Sequence, residues 1–190
     1  MTTIPPEPVT LPSATAPPGG TPSEAAPPAT MPPETASFEV PSEYAAALDR
    51  VIVLAADEIL VFDDDLATGG WGSVARTDAL RSFLLGKRRA RLQIIVHRTL
   101  YIERSLPRLL RLLRDFSHKL EIVRTAGDGR NAWDGFAIVD RTHLVHRFHL
   151  DSTRGELSLH NPLKAQQLRE RYDEIVQHTE SGVNATQLGL

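Results

Sequence analysis

Three consecutive carboxylates, Asp63-Asp64-Asp65, follow directly on the apolar run Ile59-Leu60-Val61-Phe62. Hard carboxylate oxygens can hold a divalent cation; equally, one can cap a turn while the others are solvated or pair with cationic side chains. No second ligand cluster accompanies them in the sequence, so neither a metal nor another cofactor is expected. His143, His146 and His149 recur every third residue. On an extended strand that spacing sends neighbouring side chains to opposite faces, which works against joint metal ligation. Arg147 beside His149 offers a planar fork for a phosphate or other anion. Arg147, His149 and Asp140 therefore form a candidate anion site, the alternative being ordinary strand and loop residues.

A second set of charges is cationic. Lys87, Arg88 and Arg89 form a run, and Arg104, Arg108, Arg111 and Arg114 follow i, i+4, i+7 and i+10 spacing, a row along one face of a helix. Lys87, Arg88, Arg89, Arg104, Arg108 and Arg111 are candidate polyanion-binding residues. A surface helix also needs a solvated face, and no aromatics interleave to stack bases. Charge is strongly segregated: residues 1–75 carry one arginine against eleven acids, and residues 76–130 carry fourteen Lys or Arg against five acids. A basic middle attracts polyanions or is neutralised by the chain's own acidic part.

The elements that position these residues follow from periodicity. Tyr44, Leu48, Val51, Ile52 and Ala55 predict a helix from Ser42, and Ile59–Phe62 a buried strand that places the three acids at its C-terminal end, where open α/β sheets bind ligands. Thr77 caps an expected helix through Leu80, Phe83 and Leu84, ended by Gly86. Leu92–Val96 reads as a strand, and Leu100 to Phe116 as one amphipathic helix. Leu120–Val123 is a third strand, and this alternation implies a largely parallel sheet. Phe136–Val139 and His143–Val145 read as a hairpin, Leu157–Leu159 as a further strand, and Asn161-Pro162 as the cap and first turn of a closing helix.

Twelve of the fourteen prolines lie between Pro5 and Pro41, a composition that cannot bury enough apolar surface to offset chain entropy. The expected organisation is a disordered Pro/Ala-rich tail over residues 1–41, one α/β domain over 42–180 and a flexible C-terminus over 181–190. There are no cysteines, which removes disulfides, thiolate zinc sites and cysteine nucleophiles. With no secretory signal pattern and no apolar run near the ~18 residues of a membrane span, the expectation is a cytoplasmic protein without membrane contact.

Ala137-Ile138-Val139-Asp140, His143-Leu144-Val145, Leu150-Asp151 and Asn161-Pro162-Leu163-Lys164-Ala165 together resemble the latter part of a phospholipase D-like domain. That family's signature is His-x-Lys, four residues and Asp at the end of a strand, followed after a second strand by Gly-Ser-x-Asn. The resemblance implies a phospholipase D-like three-layer α/β sandwich, a mixed, mainly parallel sheet flanked by helices. Counting back from Asp140 puts Trp133 in the slot of the nucleophilic His and Gly135 in that of Lys. His146-Arg147-Phe148-His149 occupies the Gly-Ser-x-Asn slot, so only the Asp is retained. The family's chemistry needs imidazoles to attack phosphorus and protonate the leaving oxygen, and Trp and Gly supply neither.

The function expected is thus a catalytically inactive half-domain of a small bacterial protein, a binding or assembly module, with phosphodiesterase activity not expected. Active relatives unite two halves, so a homodimer through Trp133 is one expected partner. Nucleic acid or another polyanion on the basic 87–114 region is the alternative. A third is an enzyme of unrelated chemistry around Asp63, Asp64, Asp65, Asp140 and His149.

Overall fold

The structure, a computed structural model, describes Met1 and residues 31–183. Residues 2–30 and 184–190, with most of the expected tail and C-terminus, lie outside the described residues. The chain forms β1 (Glu34–Phe38), α1 (Pro41–Val53), β2 (Glu58–Asp63), α2 (Val74–Gly86) and β3 (Arg91–Val96). There follow α3 (Leu100–Ser105), α4 (Pro107–Asp115), β4 (Leu120–Thr125) and a 3-10 turn over Gly127–Asn131. The remainder is β5 (Gly135–Val139), β6 (His143–Arg147), β7 (Gly155–Leu159), α5 (Pro162–Val176) and β8 (Thr179–Val183).

One eight-stranded sheet has the order β1-β7-β6-β5-β2-β3-β4-β8. Alternation along each strand divides the apolar residues between two faces. Ile59, Val61, Leu92, Ile94, Val96, Ala137 and Val145 pack with residues of α1 to α4. Leu60, Phe62, Ile95, Phe136, Ile138 and Leu144 pack beneath Ala165, Leu168, Tyr172 and Ile175 of α5. The result is the three-layer sandwich that the sequence implied.

The sheet is mixed, but not mainly parallel. Only the β2–β3 and β3–β4 pairings are parallel; β1–β7, β2–β5, β4–β8, β5–β6 and β6–β7 are antiparallel. Connectivity accounts for part of this: helical crossovers link β2, β3 and β4, whereas short turns link β5, β6 and β7 and reverse the chain; the β1–β7, β2–β5 and β4–β8 pairings join strands that no short turn connects.

Four boundaries differ from expectation: β8 carries the sheet past residue 180 into the segment assigned to the flexible C-terminus, Ser181 and Val183 pairing with Val123 and Ile122 of β4, and three others have identifiable local reasons. Glu34–Phe38, inside the segment assigned to the tail, pairs with β7 and is anchored by the buried Phe38. A Cβ on its register partner Gly155 would strike the Phe38 ring and the His146 carbonyl, so glycine there is what admits the anchor. Helix α2 begins earlier than Thr77: the Ser73 hydroxyl accepts from the Arg76 amide at 3.3 Å, and Thr77 donates to the Ser73 carbonyl at 2.8 Å. The expected single helix over 100–116 breaks at Leu106 (φ −116°, ψ 55°), and Pro107 starts α4, where its missing amide is an orphan in any case.

Candidate functional site

Phe62 of β2 pairs with Phe136 of β5, and Gly135 of β5 with Arg147 of β6. Asp63, Gly135 and Arg147 therefore stand level on three neighbouring strands, the outer two about 9.6 Å apart by ordinary strand spacing. Gly135 has no side chain to fill that gap, and the arginine crosses it. Its Nη2 donates to Asp63 Oδ1 at 2.6 Å, with both side chains only 2% exposed. A Cβ on residue 135 would sit 3.3 Å from both Nε and Nη2 of Arg147 and 3.2 Å from Leu150 Cδ2, tighter than packed side chains normally tolerate.

The pair is closed from above by α1. The Tyr44 hydroxyl donates to Asp63 Oδ2 at 3.3 Å, and the Arg147 guanidinium lies 5.2 Å from the centre of the Tyr44 ring. The Asp64 amide donates to Asp63 Oδ1 at 2.7 Å. Burial pushes the Asp63 carboxyl up, while Arg147, the Asp64 amide and the Tyr44 hydroxyl oppose it. A guanidinium that cannot lose its proton, at charge-assisted hydrogen-bond distance, keeps this carboxylate ionised at neutral pH. Burial, then the charge of Asp63, pushes the Tyr44 phenol up, so it stays a hydrogen-bond donor. Arg147 Nε is buried without a protein partner.

The other acids of the triplet are held separately. Arg98, after β3, pairs with Asp64 and, at 3.1 Å, with Asp65. Arg76, 1% exposed, pairs with Asp49 at 2.8 Å and donates to the Ala45 and Gly69 carbonyls. Two arginines of the basic middle thus neutralise acids of the first 75 residues.

The histidines occupy three different surroundings. His149, half exposed, stacks on Trp133 with ring centres 6.1 Å apart and planes 13° from parallel, and its Nδ1 accepts from the Asp151 amide at 3.2 Å. His146 lies on the α5 face, with Nε2 3.2 Å from Asp134 Oδ2. Asp134 also receives Nε and Nη2 of Arg171. Burial pushes the Asp134 carboxyl up, but hydrogen bonds from His146 and Arg171 outweigh it and hold it below the usual range. His143 stands at the opposite end of β6, its ring 4.7 Å from that of His160 and its Nδ1 accepting from the His160 amide.

Asp140 does not join Arg147 and His149. It ends β5 at the far end of the sheet, where its carboxylate accepts the amides of Ala56, Asp57 and Glu58 and so fastens the entry to β2. Lys87, Arg88 and Arg89 lie on the α2–β3 connector and are exposed. Arg104 is on α3, and Arg108 and Arg111 are on α4, so the break at Leu106 interrupts the expected continuous row. Arg108 Nη1 donates to the Gly72 carbonyl at 3.4 Å.

Tyr44, Arg98, Asp134 and Arg171 take part in these networks but were not singled out by sequence. Tyr44 looked like one more apolar position on its helix; its hydroxyl beside a glycine-gapped strand was the available signal.

Among solved structures, the fold is similar to TrmBL2, an archaeal chromatin protein described with a novel mode of DNA binding. The identity is 13% and the TM-score 0.58, over 78% of this chain and 55% of that one, so this chain spans about half of TrmBL2. Nuc of Salmonella typhimurium, a phospholipase D family member, aligns at 13% identity and TM-score 0.52 over 78% of this chain and 97% of its own. Phosphatidylserine synthase of Haemophilus influenzae Rd KW20 aligns at 14% and 0.53 over 83% and 41%. At such identities the likeness shows the fold, which is phospholipase D-like. No curated protein matches the sequence. Residues 40–188 match the family described as Domain of unknown function (DUF7931), and to that family this chain belongs.

Proposed function

We propose that this domain has no phosphodiesterase activity and works as a binding or assembly module. The observation that carries this is the crossing of Arg147 over Gly135 to Asp63. In the slots where the resemblance puts the phosphate-holding lysine and a serine, the chain has a gap and an arginine that fills it. The guanidinium is committed to an internal carboxylate and not presented to a ligand. Trp133, in the slot of the nucleophilic imidazole, is 61% exposed and has no group able to attack phosphorus. Incubation of the full chain with bis(p-nitrophenyl) phosphate and with DNA should give hydrolysis at the buffer rate. Turnover that is lost on His149→Ala would sink the proposal.

Assembly would use the same end of the sheet. Trp133 and Phe148, the latter 56% exposed, project there, and exposed aromatics commonly anchor interfaces. A homodimer held by this edge should dissociate on Trp133→Ala, as read by light scattering; a wild-type protein that stays monomeric at high micromolar concentration rules it out. No helix among the described residues is long and apolar enough to cross a membrane.

A second function, phosphate-polyanion binding by the basic region, is favoured by one specific feature. Among the described residues, no acid pairs with Lys87, Arg88, Arg89, Arg104 or Arg111. DNA binding by the structural neighbour TrmBL2 makes nucleic acid the first ligand to try. Anisotropy titration should show binding that weakens steeply with salt, and no binding at low salt excludes it.

A further inference from the structure

We infer that the groove between the α2–β3 connector and the β4–β8 edge holds a phosphodiester backbone, gripped by Arg88, Arg89 and Arg91; this rests on the polyanion function proposed above. The groove, about 990 Å³, runs along β4 and β8 and is walled by Arg88 to Arg91 on one side and Ser117 to Lys119 on another. Its arginine wall lies at the N-terminal end of β3, the end of the sheet opposite the Asp63–Arg147 pair, and the groove extends along the β4–β8 edge to Thr179 and Glu180.

Charge makes it selective for anions. Arg88, Arg89 and Arg91 are exposed, and Ala90 between them is buried, which turns its flanking arginines outward. Of the two acids of the lining, Glu180 is paired with Arg124 at 2.7 Å, while Glu121 accepts only the neutral Gln93 amide at 3.0 Å and keeps its charge against the four cations Arg88, Arg89, Arg91 and Lys119. Among the described residues no acid forms an ion pair with Arg88, Arg89 or Arg91, although Asp57, Glu58 and Asp140 stand with Arg89 and Arg91 around a neighbouring pocket, so the connector's charge can attract phosphates.

The connector is also held in place before any ligand arrives. Lys119 Nζ donates to the carbonyls of Leu84 at 2.7 Å and Lys87 at 2.9 Å, tying the end of α2 and the start of the connector to the entry of β4. Less backbone freedom is then lost on binding. No Phe, Tyr or Trp is among the described residues that line the groove, so it has no platform for stacking bases. The contacts are to phosphates, and affinity should be indifferent to base sequence.

The test is fluorescence anisotropy of the full chain with a labelled DNA duplex, across a salt series. Arg88→Gln/Arg89→Gln/Arg91→Gln should weaken binding at least roughly tenfold and flatten the slope of log K against log salt by about 2.7, three lost phosphate contacts. Arg50→Gln/Arg154→Gln, outside the basic region and paired with Glu34 and Glu39, should leave affinity within about twofold. Wild-type binding that the connector variant leaves intact overturns the groove assignment but not polyanion binding. No wild-type binding at low salt overturns both, and binding of heparin without DNA overturns the phosphodiester assignment. The single Arg89→Gln variant, with a melting curve matching wild type, keeps the test decisive if the triple variant does not fold.

Discussion

At the C-terminal end of β2, an arginine and an aspartate are sealed together under Tyr44; at the N-terminal end of β3, three arginines face water. The residue types are alike and the physics is opposite. A buried ion pair costs so much desolvation that its attraction barely repays it, yet removing one partner strands the other charge. Exposed arginines pay little desolvation and contribute little stability, but they remain available to a ligand. One cation is thus committed to an internal carboxylate, while three at the other end of the sheet stay in solvent.

The sharpest way to break this comparison is Arg147→Met. It leaves Asp63 buried without its countercharge and should cost about 3–5 kcal/mol in chemical denaturation; a loss no larger than that of a surface substitution would mean the pair is wet. Gly135→Ala should cost about 1–3 kcal/mol, because its methyl group must push Arg147 or Leu150 aside. The same denaturation series would read it, and a neutral result would mean that the guanidinium has another route to Asp63.

A smaller effect is expected with pH. Burial, then the neighbouring His160, holds the His143 imidazole below its ordinary value of 6.5, against the opposing pull of Asp140. The unfolded chain takes up this proton first. The neutral ring's stabilisation is therefore complete above pH 6.5 and is lost as pH falls through the depressed folded value. His143→Gln should flatten the fall in melting temperature over that window, and an unchanged profile would assign the fall to other groups. Smallest of all, Arg89→Gln should shift stability by no more than about 0.5 kcal/mol, in contrast with its expected effect on DNA binding.

Much of the architecture was legible because β2, β3, β4 and the β5–β6 hairpin are continuous apolar runs, and because Asn161-Pro162 marks a helix start by its own chemistry. Asn161 Oδ1 accepts the Lys164 amide at 3.1 Å. The edge strands were not legible: β1 and β8 each bury a single residue, Phe38 and Val183, too little to leave a period. Strand direction was hidden because it depends on which strand each neighbour meets, and that is set by tertiary contact. At the site, Asp63 and Arg147 were both picked out singly, but their union depends on strand register and on a missing side chain at Gly135. Pro107 was visible, but the apolar stripe through Leu106, Leu109 and Leu113 reads across it.

The crossing of Arg147 over Gly135 also imposes an order on change. A lysine introduced at position 135 alone would thrust an ammonium group into the space of a buried guanidinium, joining like charges where water cannot screen them. A smaller residue at 147 alone would abandon Asp63. Neither single substitution is downhill, so Asp63, Gly135 and Arg147 are interlocked, each a reason to keep the other two.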